Sequence, residues 1–298
     1  MSPRCNWLGC TKAAGILLLG FGAVPASAQG RGPDPKAAAA LEEAAQKPTP
    51  RTADGHPDLN GSWAAPNFTP QSFYKDDDGK TTYLFGKEGG NPKAQGRGGR
   101  GRGAAPNGPS YKPEFEAKVA ALAAGAETKD WKDPALECRS LGVPRIGPPK
   151  EILQSPKMIA FFYQTDAGSG TVPGIEVRLI STDGRPHRTD VDPSYLGDSI
   201  GHWEGDTLVV DANHFTTDTW LGGAGYFHSK ALHVVERITR KGDTIRYEVT
   251  VEDPAVLTQP WTPALRTLMI SDNVVTENPP CNEHDLQHMD SQTQTPNP

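Results

Sequence analysis

The amino-acid sequence predicts a mainly all-β protein: an antiparallel meander forming a lipocalin-like barrel or a sandwich, with one or two short helices before it. Three observations carry this expectation. From Cys138 onward, short runs rich in β-branched and aromatic residues follow one another, separated by turn chemistry. Two of the turns repeat a small pattern, Trp203-Glu-Gly-Asp-Thr-Leu-Val-Val and Arg240-Lys-Gly-Asp-Thr-Ile-Arg-Tyr, each with Gly-Asp-Thr at the tip of a hairpin. No helical periodicity interrupts the runs, and sequential hairpins close most simply as a barrel.

The elements follow in order. Asp34 is placed to cap a short helix from Pro35 through the Ala-rich run to Gln46, which Pro48, Pro50 and Gly55 then end. Residues Thr52 to Trp63 are turn-rich and lead into a first strand near Ser62 to Ala65. Gly86 to Pro109 form a glycine-rich insertion expected to be disordered. Pro113 starts a second helix with Phe115, Val119 and Leu122 on one stripe. Strands are expected at Met158–Gln164, Ile175–Ile180, Ser199–Trp203, Thr207–Ala212, Leu232–Thr239, Thr244–Glu252, Ala264–Ile270 and Val274–Glu277. The domain expectation is therefore a single β-rich domain over 51–290, after a linker over 29–50 and before a disordered tail at 291–298.

The first 28 residues read as an export signal. Arg4 and Lys12 supply a positive start, Ala13 to Val24 an apolar run too short to span a membrane, and Ala26-Ser27-Ala28 a small-residue cleavage site. No twin-arginine pair precedes the run, and Cys10 lies at its start, where a lipid anchor would not be attached. A periplasmic or secreted protein is expected, with no membrane span after cleavage. Cys5 and Cys10 would leave with the signal, so Cys138 and Cys281 remain as a pair expected to bridge in an oxidising compartment.

Loss of Arg4 and Lys12 from 30 Lys+Arg leaves 28 against 36 Asp+Glu, a net charge of −8. That balance argues against nucleic acid as a partner. The Arg-Gly run at 96–103, which resembles an RNA-binding box, then reads as a solvated flexible insertion. No G-x-S-x-G elbow, P-loop or dinucleotide fingerprint is present, so no organic cofactor is expected. His187, His228 and His233 lack metal-ligand spacing, and no metal site is assigned.

Chemistry is most concentrated between Asp183 and Arg237, which holds five of the eight histidines among many carboxylates. Strand phase ranks them. Glu236 shares the face of Leu232, Val234 and Ile238, so its carboxylate points inward and requires either a functional role or an ion-pair partner such as Arg178 or Arg266. His202 and Asp211 fall on the face opposite Trp203, Leu208 and Val210, and are expected toward solvent. The polar loop 183–198 and the loop 216–229 flank this hairpin and are expected to meet at one mouth of the barrel. His187, Asp192, His228 and Glu236 are therefore the candidate acid–base residues. Tyr195, Asp198, Trp220 and Tyr226 are candidate contacts for a ring-containing substrate.

Several strings add a resemblance. Pro50-Arg-Thr-Ala-Asp-Gly-His-Pro-Asp-Leu-Asn-Gly-Ser-Trp63, Cys138-Arg-Ser-Leu-Gly-Val-Pro-Arg145, Asp183-Gly-Arg-Pro-His187 and Asp192-Pro-Ser-Tyr-Leu-Gly-Asp-Ser-Ile-Gly-His-Trp-Glu-Gly-Asp-Thr-Leu-Val-Val210 resemble a family of uncharacterised secreted bacterial proteins. The similarity runs over roughly 50 to 285 and brings no activity with it. A basic Arg or Lys is usual in that family where this chain has His202, which weakens a catalytic role for His202. The functional expectation is an exported, cofactor-free lyase, isomerase or hydrolase acting on a small ring-containing molecule. The alternative is a lipocalin-like carrier with the same ligand class and no catalysis.

Overall fold

The structure is a computed structural model and describes residues 35–65, 72–75, 81–84, 108–125, 133–134, 139–164, 174–222 and 225–276. The expected signal, the Cys138–Cys281 bridge, most of the Gly/Arg-rich insertion and the tail lie outside the described residues. Among those described, no helix is long and apolar enough to cross a membrane.

Helix α1 spans Pro35–Gln46 and α2 spans Pro113–Gly125; each begins with a proline, whose missing N–H costs nothing in a first turn. The strands are β1 (Gly61–Ala64), β2 (Ser72–Lys75), β3 (Thr81–Leu84), β4 (Glu151–Gln154), β5 (Met158–Gln164) and β6 (Ile175–Ser181). The remainder are β7 (Asp198–Glu204), β8 (Thr207–Asn213), β9 (His233–Lys241), β10 (Thr244–Glu252) and β11 (Arg266–Ser271). All but β2 and β3 form a closed barrel in the order β1-β11-β10-β9-β8-β7-β6-β5-β4; β2 and β3 make a separate hairpin. The fold is thus the mainly β barrel that the strand pattern predicts.

Several details differ from the sequence expectation, among them the β2–β3 hairpin, which the sequence pattern does not predict. Strand β4 was not foreseen: it is four residues long, lies between prolines, and is too short for alternation to show. No strand forms over 274–276, because β1 takes the place beside β11 and also pairs with β4, which closes the ring. The meander is antiparallel except between β6 and β7, which run parallel and share only the pairs Ile180↔Ser199 and Ser181↔Ile200. The polar segment 182–197 carries the chain back to start β7 in the same direction as β6.

Both echoed hairpins have two-residue tips. Gly205 and Gly242 adopt positive φ (59° and 57°), the conformation that such tips need so that their twist matches the strands. The resulting registers, Glu204↔Thr207 and Lys241↔Thr244, decide which side chains enter the barrel. Leu208, Val210, Ala212, Val234, Ile238, Ile245, Val249 and Val251 point inward and are buried.

The barrel is filled and capped. At one end Leu59 is fully buried, Trp63 donates from Nε1 to the Leu59 carbonyl (2.9 Å), and the Arg240 guanidinium lies 5.0 Å from the Trp63 ring centre. Arg240 also donates to the carbonyls of Gly242 and Asp58, so a buried cation holds the 51–60 segment in place. At the other end the buried segment 140–149, the 214–232 loop, α2 and residues 253–262 close the barrel, with Tyr111, Phe215, Trp220, Phe227 and Leu257 in the core.

Candidate functional site

The titratable residues sort into three separate networks, set by the faces of the strands that carry them. The first is inside the barrel. Glu236 on β9 is completely buried and forms an ion pair with Arg178 of β6, one of the two partners its inward phase required. Tyr247 on β10 donates its hydroxyl to Glu236 Oε1, Arg178 Nε donates to Ser199 Oγ (2.8 Å), and Arg178 Nη1 also reaches the Tyr163 hydroxyl (3.5 Å). Burial is the largest influence on Arg178 and opposes its charge, but Glu236 together with the Tyr163 and Tyr247 hydroxyls outweighs it and holds the guanidinium above its usual range. Burial pushes the hydroxyls of Tyr163 and Tyr247 upward, so both stay protonated and able to donate. Arg178 Nη2 and Glu176 Oε1 are buried without a hydrogen-bond partner among the described residues.

The second network lies on the outer wall of β7, β8, β9 and β10. His187 places Nδ1 2.9 Å from Asp198 Oδ2 and Nε2 2.8 Å from Asp211 Oδ1. The same Asp211 oxygen is 2.9 Å from His233 Nε2, and His233 Nδ1 is 3.3 Å from Glu252. A neutral imidazole carries one N–H, so either ring satisfies both of its carboxylates only when doubly protonated. For His233, burial works against the charge, while the hydrogen bonds to Asp211 and Glu252 outweigh it and raise the pKa. Asp198 is anchored more firmly: Arg185 approaches it with two nitrogens (2.8 and 3.1 Å) and the Arg188 amide donates at 3.0 Å. Despite partial burial, which alone would raise it, these donors hold the Asp198 carboxyl well below the usual carboxylate range.

Gly197 makes this placement possible. Its φ is +68°, and a Cβ there would come within 2.4 Å of the Asn213 carbonyl, so the residue before Asp198 has to be glycine for the loop to lie against β8.

The third network is at the end capped by the 214–232 loop. His228 is buried; its Nδ1 is 2.9 Å from the Ser229 carbonyl, which can only accept, so Nδ1 carries the hydrogen and Nε2 accepts from the Thr219 hydroxyl (2.7 Å). Burial lowers its pKa and keeps it neutral. Asp253 fixes the next residue, accepting from the Ser229 amide (2.6 Å) and hydroxyl (2.7 Å).

His187 therefore meets Asp198, but His228 and Glu236 belong to other networks, and the four candidate acid–base residues do not converge. Asp192 is exposed and makes no side-chain hydrogen bond or ion pair among the described residues. His202 is solvent-facing as its strand phase predicts, with only Glu204 at 3.3 Å. Among the described residues, no group of three or more His, Cys, Asp or Glu is arranged to hold a metal ion.

The candidate ring-binding residues divide in the same way. Tyr195 is exposed on the 183–198 loop, which meets the 214–232 loop at Ser194, whose amide donates to the His214 carbonyl (3.0 Å) and whose carbonyl accepts from the Thr216 amide (2.9 Å). Trp220 is buried and bridges to Phe227. Tyr226 is half-buried within a group of rings: 6.4 Å from both Tyr111 and Trp261, with Tyr111 stacked on Phe227 at 5.2 Å and Phe115 edge-on to Phe227 at 5.8 Å. Lys118 sits 3.7 Å above the Phe227 ring. A separate cleft of about 380 Å³ lies between α1 and β9–β11, at the opposite end of β10, and mixes Leu41 and Leu265 with Glu42, Lys241 and Arg246.

Sequence reasoning missed Asp211 and His233 as partners. Both were visible as polar residues on outward phases, but β8 and β9 are joined by the long 214–232 loop, so their relative register was not legible. Comparison with protein-family models, curated proteins and solved structures finds no match to this chain.

Proposed function

We propose that the protein is an exported, lipocalin-like carrier that holds a small ring-containing molecule against the aromatic end of its barrel, without turning it over. The observation that carries this reading is the convergence of Tyr226, Trp261, Tyr111, Phe227 and Phe115 at one end, with Tyr226 and Trp261 only half-buried. Aromatic faces bind flat apolar ligands through area and offset stacking, at about 0.5–1.5 kcal/mol per ring pair beyond burial. The dispersal of the acid–base candidates removes the main argument for catalysis, since proton transfer needs its donor and acceptor in reach of one substrate.

The test is titration of the purified protein with a panel of aromatic and sugar-derived compounds, read by tryptophan fluorescence, together with native mass spectrometry for a co-purifying ligand. Trp261→Ala and Tyr226→Ala should each weaken binding at least tenfold while the fold survives. An absence of any bound compound, or binding that both variants leave unchanged, sinks the proposal.

The second reading is a cofactor-free acid–base enzyme, favoured by the Asp198–His187–Asp211–His233 relay on the open outer wall. For His187 to act there, a substrate would have to displace one carboxylate from its ring. Turnover of any panel compound that is lost in His187→Asn would establish it.

A further inference from the structure

The outer wall of β4, β5 and β6 is unlike the rest of the barrel. Its side chains stand in registered rows: Leu153, Ala160 and Leu179 in one, Glu151, Phe162 and Val177 in the next, with Met158 beside Ser181 below and Gln164 beside Ile175 above. Leu153, Met158, Val177 and Leu179 are 50%, 44%, 46% and 56% exposed, and Ile175 also stands out to solvent. These five expose roughly 450 Å² in one contiguous patch, within the range of the largest apolar patch on a monomer, which is often functional. Glu151 is the one charged residue on these rows.

We propose that this wall is the interface of a two-fold dimer of the chain with itself. The rows are self-complementary. A two-fold axis along the Leu153–Ala160–Leu179 row reverses the strands of the second copy, so each of these residues meets its own counterpart, while Phe162 lies over the second copy's Met158 and Val177 over its Ser181. Isologous contacts of this kind are the commonest route to closed oligomers. The same rotation carries Glu151 at one margin toward the second copy's Lys157, in the β4–β5 turn at the other, so the only charge on the face finds an opposite charge. Pairing would cover roughly 900 Å² of apolar surface, and the margins bring the total past about 1,000 Å², where specific interfaces begin. A sheet face whose rows carry a single charge offers little to steer a strongly charged partner.

Sedimentation of the mature chain between about 1 and 100 μM should show a monomer–dimer equilibrium in the micromolar range, as expected for an interface of this size. Leu179→Glu and Leu153→Glu each set like charges against each other on the axis and should raise the dissociation constant more than a hundredfold. Neither residue enters the core, so circular dichroism should remain that of the parent. Glu151→Lys should weaken pairing, and Glu151→Lys combined with Lys157→Glu should restore it. A wild-type chain that stays monomeric throughout the range overturns the proposal. So does a dimer that survives both leucine variants, or a monomer that instead floats with phospholipid vesicles through the same residues.

Discussion

The barrel holds two arrangements of charge that use similar partners in opposite surroundings. Inside, Arg178 and Glu236 pair at full burial, supported by two tyrosine hydroxyls and Ser199. Outside, His187, Asp211 and His233 share bonds along a wall where Asp211 is 34% exposed. The difference teaches that contact geometry alone does not set the worth of an ion pair. Water competes for every charge on the outer wall, whereas inside the barrel each charge depends on its partner and on the few fixed hydroxyls around it.

Substitutions that break one member of each network expose that contrast. Glu236→Gln strands a buried guanidinium and should cost about 3–5 kcal/mol in urea-induced unfolding. Replacing both members, Arg178→Met with Glu236→Leu, should recover most of that loss, because no uncompensated charge remains. A loss below about 1 kcal/mol for Glu236→Gln would mean that water reaches the interior, and the contrast would collapse. His228→Ala comes next, at about 1–3 kcal/mol, since it leaves the buried Thr219 hydroxyl without its acceptor. Asp211→Asn unlinks two imidazoles at once and still should cost no more than about 1 kcal/mol.

Two histidines give the comparison a pH axis with opposite signs. His233 is raised in the folded protein, so its contribution is fully present below the unfolded value near pH 6.5 and is lost as pH rises through the higher folded value. His228 is lowered, so the folded protein is penalised as pH falls below about 6.5, where the unfolded chain takes up a proton that the buried ring refuses. His233→Asn should flatten the alkaline limb of the stability profile, and His228→Ala the acid limb near neutrality. Asp198, held low, adds a further loss at more acid pH, below the unfolded carboxylate range near 4. The smallest effect is expected for His202→Ala, within about 0.5 kcal/mol, since its ring is exposed.

How far the sequence could be read depended on how each residue is positioned. Glu236 was legible as an inward carboxylate in need of a partner, because strict alternation in β9 and β10 fixes its face. His202 was legible as outward for the same reason, through the two-residue tip at Gly205–Asp206. His228 was not: it sits in a loop with no period, and only the packed structure shows its ring bonded to Thr219 and Ser229. Tyr195 and Tyr226 looked equivalent in sequence, yet Tyr226 packs among the rings of the aromatic end while Tyr195 stands exposed on the 183–198 loop.

The sequence by itself determined the β class, most of the strands, both echoed hairpins and the inner and outer faces of β7 through β10. Those properties are local, since alternation and tip length act within a few residues of one another. Tertiary structure alone decided that β1 closes the ring between β11 and β4, that β6 and β7 run parallel, and that Arg178 is the partner of Glu236. It also decided that His187 and His233 share Asp211. Each of these joins residues across long connections, where the register follows from closing the barrel and filling its interior rather than from any local pattern.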